Sequence, residues 1–171
     1  MVPDIKHILY ATDLSGSARR AMGYAVALAN AFGAALSVIH VINETSPNAE
    51  MLITAFLGYC SKQELEQKSR GQVTEEVTSR LSRICDELGC QLPDCRFALA
   101  DVMVEFGRPT ELILNKAEEG PYDVLVIGRH DYGLIDSALM GHATKGLLRH
   151  CPLPVMMVPV DESFFADTGE A

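Results

Sequence analysis

The residues with the types and spacing to form a site gather late in the chain. The apolar run Asp123-Val124-Leu125-Val126-Ile127 ends at Gly128, the polar residues Arg129, His130 and Asp131 follow, and Gly141-His142-Ala143 opens a helical pattern. In open parallel sheets, ligands lie in the crevice outside the carboxyl ends of the strands, and a strand end of this kind lines it. A second polar cluster, Thr12-Asp13-Leu14-Ser15, follows the first apolar run and supplies turn and N-cap residues.

Most catalytic signatures are missing. There is no G-x-x-x-x-G-K-[ST], and Gly141-His142-Ala143-Thr144-Lys145-Gly146 matches that loop only superficially. No G-x-G-x-x-G follows the first strand and no G-x-S-x-G elbow occurs. His7, His40, His130, His142 and His150 never pair at metal-binding spacing, and no nucleophile stands beside a base. Cys60, Cys85, Cys90, Cys95 and Cys151 form no C-x-x-C pair, so they read as reduced thiols used as small apolar residues.

Charge narrows the class further. A net charge of −9 argues against nucleic acid and against an anionic membrane surface, both of which need clustered Lys and Arg. Residues 1–6 lack a signal-peptide core, and no apolar run approaches the ~20 residues that cross a bilayer. A cytoplasmic protein is expected, with one domain over residues 1–160 and an acidic tail without fixed structure over residues 161–171.

The elements that must position these residues can be read from periodicity. Residues 5–11 (IKHILYA) and 35–42 (ALSVIHVI) read as buried strands, and His40 inside the second reads as a packed, hydrogen-bonded residue rather than a ligand. Between them a helix from Ala18 buries Ala21, Ala25, Leu28 and Phe32 and stops at Gly33. Residues 49–57 form a short helix ending at Gly58, either a plug packed on the sheet or a flap over a site. Residues 61–88 read as one long helix with the stripe Val73, Val77, Leu81, Ile84 and Leu88, stopped by Gly89. A third strand spans 95–106. Gly107-Arg108-Pro109 then turns into a helix with Leu112, Ile113 and Ala117 inward. The fourth strand, 123–127, ends at Gly128. A short helix with Leu147 and Leu148 and a last strand from Val155 complete the order. Alternating strands and helices imply right-handed crossovers and an α/β domain with a parallel sheet.

Several pieces, in this order, resemble single-domain universal stress proteins of the UspA family. They are Ala11-Thr12-Asp13 with Ser15, Val38-Ile39-His40-Val41-Ile42, Gly107-Arg108-Pro109 with Glu111, Asp123 to Gly128, and Cys151-Pro152-Leu153-Pro154-Val155 closing on Val158-Pro159. The resemblance implies an open five-stranded parallel sheet ordered 3-2-1-4-5 with helices on both faces, a Rossmann-like adenine-nucleotide alpha-hydrolase-like fold.

It also implies a ligand, ATP or AMP, with Mg as an accompanying ion. Adenine and ribose would lie near Ala11, Thr12, Asp13, Val41 and Ile127, and phosphates over Gly128, Arg129, Gly141, His142 and Ala143. The family's nucleotide-binding members carry G-x-x-G-x9-G-[ST] after the fourth strand, and here that frame falls on Gly128, Asp131, Gly141 and His142. In those members the glycines admit the phosphates and the hydroxyl and helix N-terminus hold them. An Asp131 carboxylate about 4 Å from a phosphate would cost on the order of 4 kcal/mol at an effective dielectric near 20. Pointed to solvent it would cost little, and Arg129 and His130 offer compensating charge. The adenosine half is intact and the phosphate half is rewritten.

The leading expectation is therefore a homodimeric binding or regulatory module, paired through the last strand Val155-Val160, with a degenerate adenine-nucleotide site and an unidentified protein partner. The alternatives are an interaction protein that binds no nucleotide and a slow ATP hydrolase using Asp131 or His130 as base.

Overall fold

The computed structural model describes residues 1–16, 18–130 and 142–160. Five strands, β1 (His7–Thr12), β2 (Ala35–Ile42), β3 (Ala98–Phe106), β4 (Val124–His130) and β5 (Val155–Val160), form one parallel sheet in the order β3-β2-β1-β4-β5. The helices are α1 (Ala18–Phe32), α2 (Ala49–Leu57), α3 (Lys62–Glu66), α4 (Arg70–Gly89), α5 (Pro109–Glu119) and α6 (His142–His150). The expected α/β class and the strand order 3-2-1-4-5 are both present.

Two apolar layers sandwich the sheet. Ile8, Tyr10, Val38 and Val126 pack with α1 and α4, whereas Leu9, Ile39, Val41, Leu125 and Ile127 pack with Ile113 and Ala117 of α5 and Leu147 of α6. Both faces of β1 and β2 are covered, which is why their sequences are mostly apolar, with Thr12, Ser37 and His40 as buried polar exceptions. The strand order reverses direction between β1 and β4, so the crevice at their carboxyl ends is the topological switch point.

Several boundaries differ from expectation for identifiable reasons. β4 does not stop at Ile127: Gly128, Arg129 and His130 stay in the strand, opposite Val158, Pro159 and Val160. A continuous β5 partner outweighs the breaking tendency of one glycine, so Gly128 is a strand residue rather than a turn. The expected helix over 61–88 is two helices. Ser69 starts α4 with a capping box, its hydroxyl accepting from Gln72 N at 3.3 Å while the Gln72 side chain accepts from Ser69 N at 2.9 Å.

The stripe on α4 runs Val73, Val77, Leu81, Cys85 and Gly89; Ile84 and Leu88 pack at its margin. Gly89 is a helical residue against the Phe97 ring rather than a stop. On α1 the buried face is Ala21, Met22, Ala25, Val26 and Ala29, and Phe32 is 52% exposed. Leu148 is likewise exposed, leaving Leu147 as the inward residue of that pair in α6. Cys85 is buried and its thiol is pushed up to about 11 by desolvation, but Cys60, Cys90 and Cys95 are exposed and do not serve as core residues. α2 matches its expected span, with Gly58 closing it at φ +75°, and it packs Ile53 and Phe56 on the core as a plug. The expected tail, 161–171, lies outside the described residues.

Candidate functional site

The crevice is built from the ends of three strands. Ala11 is level with Ile127 on β4 and with Ile39 on β2, and Thr12 is level with His40. Side-chain alternation puts Ala11, Val41 and Ile127 on the sheet face that carries α5 and α6. Val41 and Ile127 are buried and Ala11 is half-buried, so the three form an apolar shelf at the mouth. Gly128, one residue beyond Ile127, brings no side chain to that mouth.

Beyond Thr12 the chain turns sharply and is tied at each step. Leu14 has φ +62°, a left-handed conformation that a leucine adopts only when its surroundings hold it there. Its amide donates to Thr12 Oγ1 at 3.2 Å, and its side chain is 3% exposed. Asp13 Oδ1 accepts from Ser15 N at 3.0 Å, and Ser15 O accepts from Ala18 N at 2.9 Å. Asp13 thus closes a turn ahead of α1. The Tyr10 hydroxyl donates to Ala18 O at 2.8 Å and fastens the start of α1 to β1.

His40 completes the support. Its Nδ1 lies 2.8 Å from Thr12 O, and because a carbonyl only accepts, Nδ1 carries the proton. Burial holds its pKa below the usual histidine range, and the bond to Thr12 together with the Asp13 charge opposes that shift only in part. The ring is neutral near pH 7 and acts as a strut beneath the Thr12–Leu14 turn. Sequence reasoning identified His40 as packed but gave no sign of this link across 28 positions.

The residues expected to face phosphates are described in part. Arg129 is half-buried on β4, beside Gly128. His142 is the first residue of α6, and Ala143 is half-buried in its first turn. Because α6 connects parallel strands β4 and β5, its N-terminus lies at the carboxyl edge of the sheet. Asp131 and Gly141 lie outside the described residues. No group of three or more His, Cys, Asp or Glu side chains suited to a metal occurs among the described residues. No described helix is long and apolar enough to cross a membrane.

Comparison with known proteins decides the family. The profile of the universal stress protein family matches residues 4–159, nearly the whole chain. The chain belongs to the universal stress protein family. MJ0577, a universal stress protein of Methanocaldococcus jannaschii, is 28% identical over 157 residues, covering 90% of this chain and 94% of that protein. Among solved structures, a universal stress protein in complex with cAMP superposes with a TM-score of 0.62 at 20% identity, covering 93% of this chain and all of that one. The Arabidopsis thaliana family member At3g01520, with AMP bound, gives 0.55 at 14% identity, with 97% and 99% covered. At these identities the two superpositions show the universal stress protein fold.

Proposed function

We propose that this universal stress protein is a binding module that takes adenosine phosphates at the carboxyl ends of β1, β2 and β4. The observation that carries the reading is the shelf Ala11, Val41 and Ile127 beside the braced Thr12–Leu14 turn, at the switch point of the sheet. Relatives of the same fold hold cAMP and AMP, which supports an adenine ligand. Asp13 lies at the end of β1, where a ribose or a Mg ion would be met. Arg129, the α6 N-terminus with His142 and Ala143, and Asp131 and Gly141 supply the anion side. There Asp131 replaces a glycine and His142 a hydroxyl, so the phosphates add little to affinity.

The protein acts, in this reading, as a cytoplasmic homodimer paired through β5. β5 ends the sheet with one side paired to β4, and an apolar edge of this kind invites a second copy. Exposed thiols at Cys60, Cys90 and Cys95 suit a reducing compartment. No catalytic role is assigned.

Thermal unfolding with excess ATP, AMP or cAMP, with and without Mg, tests the reading. A rise in melting temperature with all three, weakly dependent on Mg, is the expected result. No rise with any of them would favour an interaction protein that takes no nucleotide.

A further inference from the structure

On the sheet face opposite that shelf, the structure holds a cavity of about 260 Å³ between α1, α2 and α4. Leu14, Met22, Phe56, Leu81 and Ile84 form its apolar lining. This is the α1/α4 layer, whereas Ala11, Val41 and Ile127 belong to the α5/α6 layer, so the sheet separates the two places. Thr12 and Leu14 of the braced turn border both this lining and the proposed adenosine mouth, whose shelf residues Ala11, Val41 and Ile127 take no part in the lining. Two guanidinium groups, Arg19 and Arg80, stand among the lining residues.

The two cations are not equivalent. Arg19 is committed to Glu87, with Nη2 to Oε2 at 3.0 Å. Arg80 lies over the Phe56 ring at 5.4 Å from its centre and forms no ion pair among the described residues. The wall that α2 contributes is held in place just beyond its C-terminus. The Tyr59 hydroxyl donates to Glu76 of α4, and Lys68 Nζ donates to the same carboxylate at 2.8 Å. A cavity with a greasy floor, a fixed wall and a cation stacked at its rim is preorganised for a molecule with one apolar and one anionic end.

We propose that this cavity binds a small monocarboxylate whose apolar body enters between Met22, Leu81 and Ile84 while its carboxylate meets Arg80. An aliphatic-lined cavity of about 150 Å³ accepts benzene, so the larger space here admits a body of about six to eight carbons. Arg80 sets the sign of the head group in a chain whose overall charge of −9 would otherwise repel it.

The test is a titration of octanoate into the 171-residue chain carrying labelled Leu, Ile and Met methyl groups. Saturable shifts at Met22, Leu81 and Ile84 are expected, with 1-octanol binding at least about fivefold more weakly. Arg80→Gln, a change at an exposed side chain, is expected to weaken octanoate about five- to tenfold and leave octanol unchanged. Absent shifts, equal affinity for octanoate and octanol, or an unaltered Arg80→Gln variant would overturn the proposal. So would competition between AMP and octanoate, which would make the cavity part of the nucleotide site. Octanoate binding in a protein that ignores AMP would uphold this site while removing the nucleotide reading.

Discussion

His40 donates its Nδ1 hydrogen to the carbonyl of Thr12 across 2.8 Å, joining the ends of two strands whose residues lie 28 positions apart in sequence. That bond fixes the place where β1 gives way to the Leu14 turn. Replacing the imidazole by an apolar side chain leaves the Thr12 carbonyl without this donor. His40→Leu is expected to cost about 1–3 kcal/mol in urea unfolding and to weaken AMP binding as well.

The same histidine carries a pH signature. Burial depresses its folded-state pKa below the ordinary 6.5, so the unfolded chain binds the proton more readily. Its contribution is complete above the unfolded value and is lost as pH falls from there through the folded value. Urea unfolding at about pH 7.5 and about pH 5.5 should show a larger loss for the wild type than for His40→Gln, which does not titrate. Equal losses would remove His40 from the pH response.

Asp123 acts at the other end of the sheet. Its Oδ2 accepts from Lys6 N at 2.8 Å and His7 N at 2.9 Å, and its own amide donates to His7 O at 2.8 Å. The Lys6 amide, then that of His7, holds the carboxyl below the usual range against the opposing effect of desolvation. Its side chain is 36% exposed, so Asp123→Ala is expected to cost only about 1–2 kcal/mol at neutral pH. That stabilisation is present above the ordinary carboxylate pKa and fades as pH falls through the depressed one, so the gap between wild type and variant should narrow in acid.

Gly146 sets how closely α5 and α6 approach. A Cβ there would lie 2.7 Å from Thr110 Cγ2 and 3.4 Å from Thr110 Oγ1. Gly146→Ala is expected to destabilise by about 1–3 kcal/mol through overpacking. Adding Thr110→Ser, which removes the clashing methyl, should recover much of the loss in a double-mutant cycle. Additive effects would show that the two helices do not meet there.

The edge of β5 can be probed through its backbone. Leu125 N donates to Pro154 O at 3.0 Å, so by alternation Met156 bonds to β4 and Met157 turns its amide outward. Met157→Pro removes that outward donor and is expected to convert a dimer to a folded monomer in size-exclusion chromatography with light scattering. A wild-type protein that is already monomeric at tens of micromolar would end the pairing proposal.

The layered fold was legible because its core strands have no polar face to misread. ALSVIHVI marks β2 to the residue, and Gly58 and Pro109 mark a helix end and a helix start. What escaped was set by neighbours distant in sequence. Gly128 remains in β4 only because Val158 lies opposite, and the buried face of α1 is turned toward Met22 and Val26 by the sheet beneath it. The crevice was half legible. Of the residues expected there, Ala11, Val41 and Ile127 share one sheet face and Thr12 ends β1, but nothing in the sequence marks Leu14 as left-handed or His40 as the strut below it.

The rewritten anion side makes a directional prediction. Asp131→Gly with His142→Ser restores the residue types of the nucleotide-binding frame and should tighten ATP at least about tenfold, since it removes a like charge. Adenosine, which lacks phosphates, should bind both proteins alike. No gain for ATP would mean that these two positions do not limit the site.

The expectation that the mouth between β1 and β4 admits adenosine does not depend on its anion-facing residues. Isothermal titration of adenosine and ATP into the wild-type chain addresses it most directly. Saturable heat from both, with affinities within about tenfold of each other, is the predicted result. An absence of saturable heat from adenosine, or ATP binding orders of magnitude more tightly than adenosine, would contradict it.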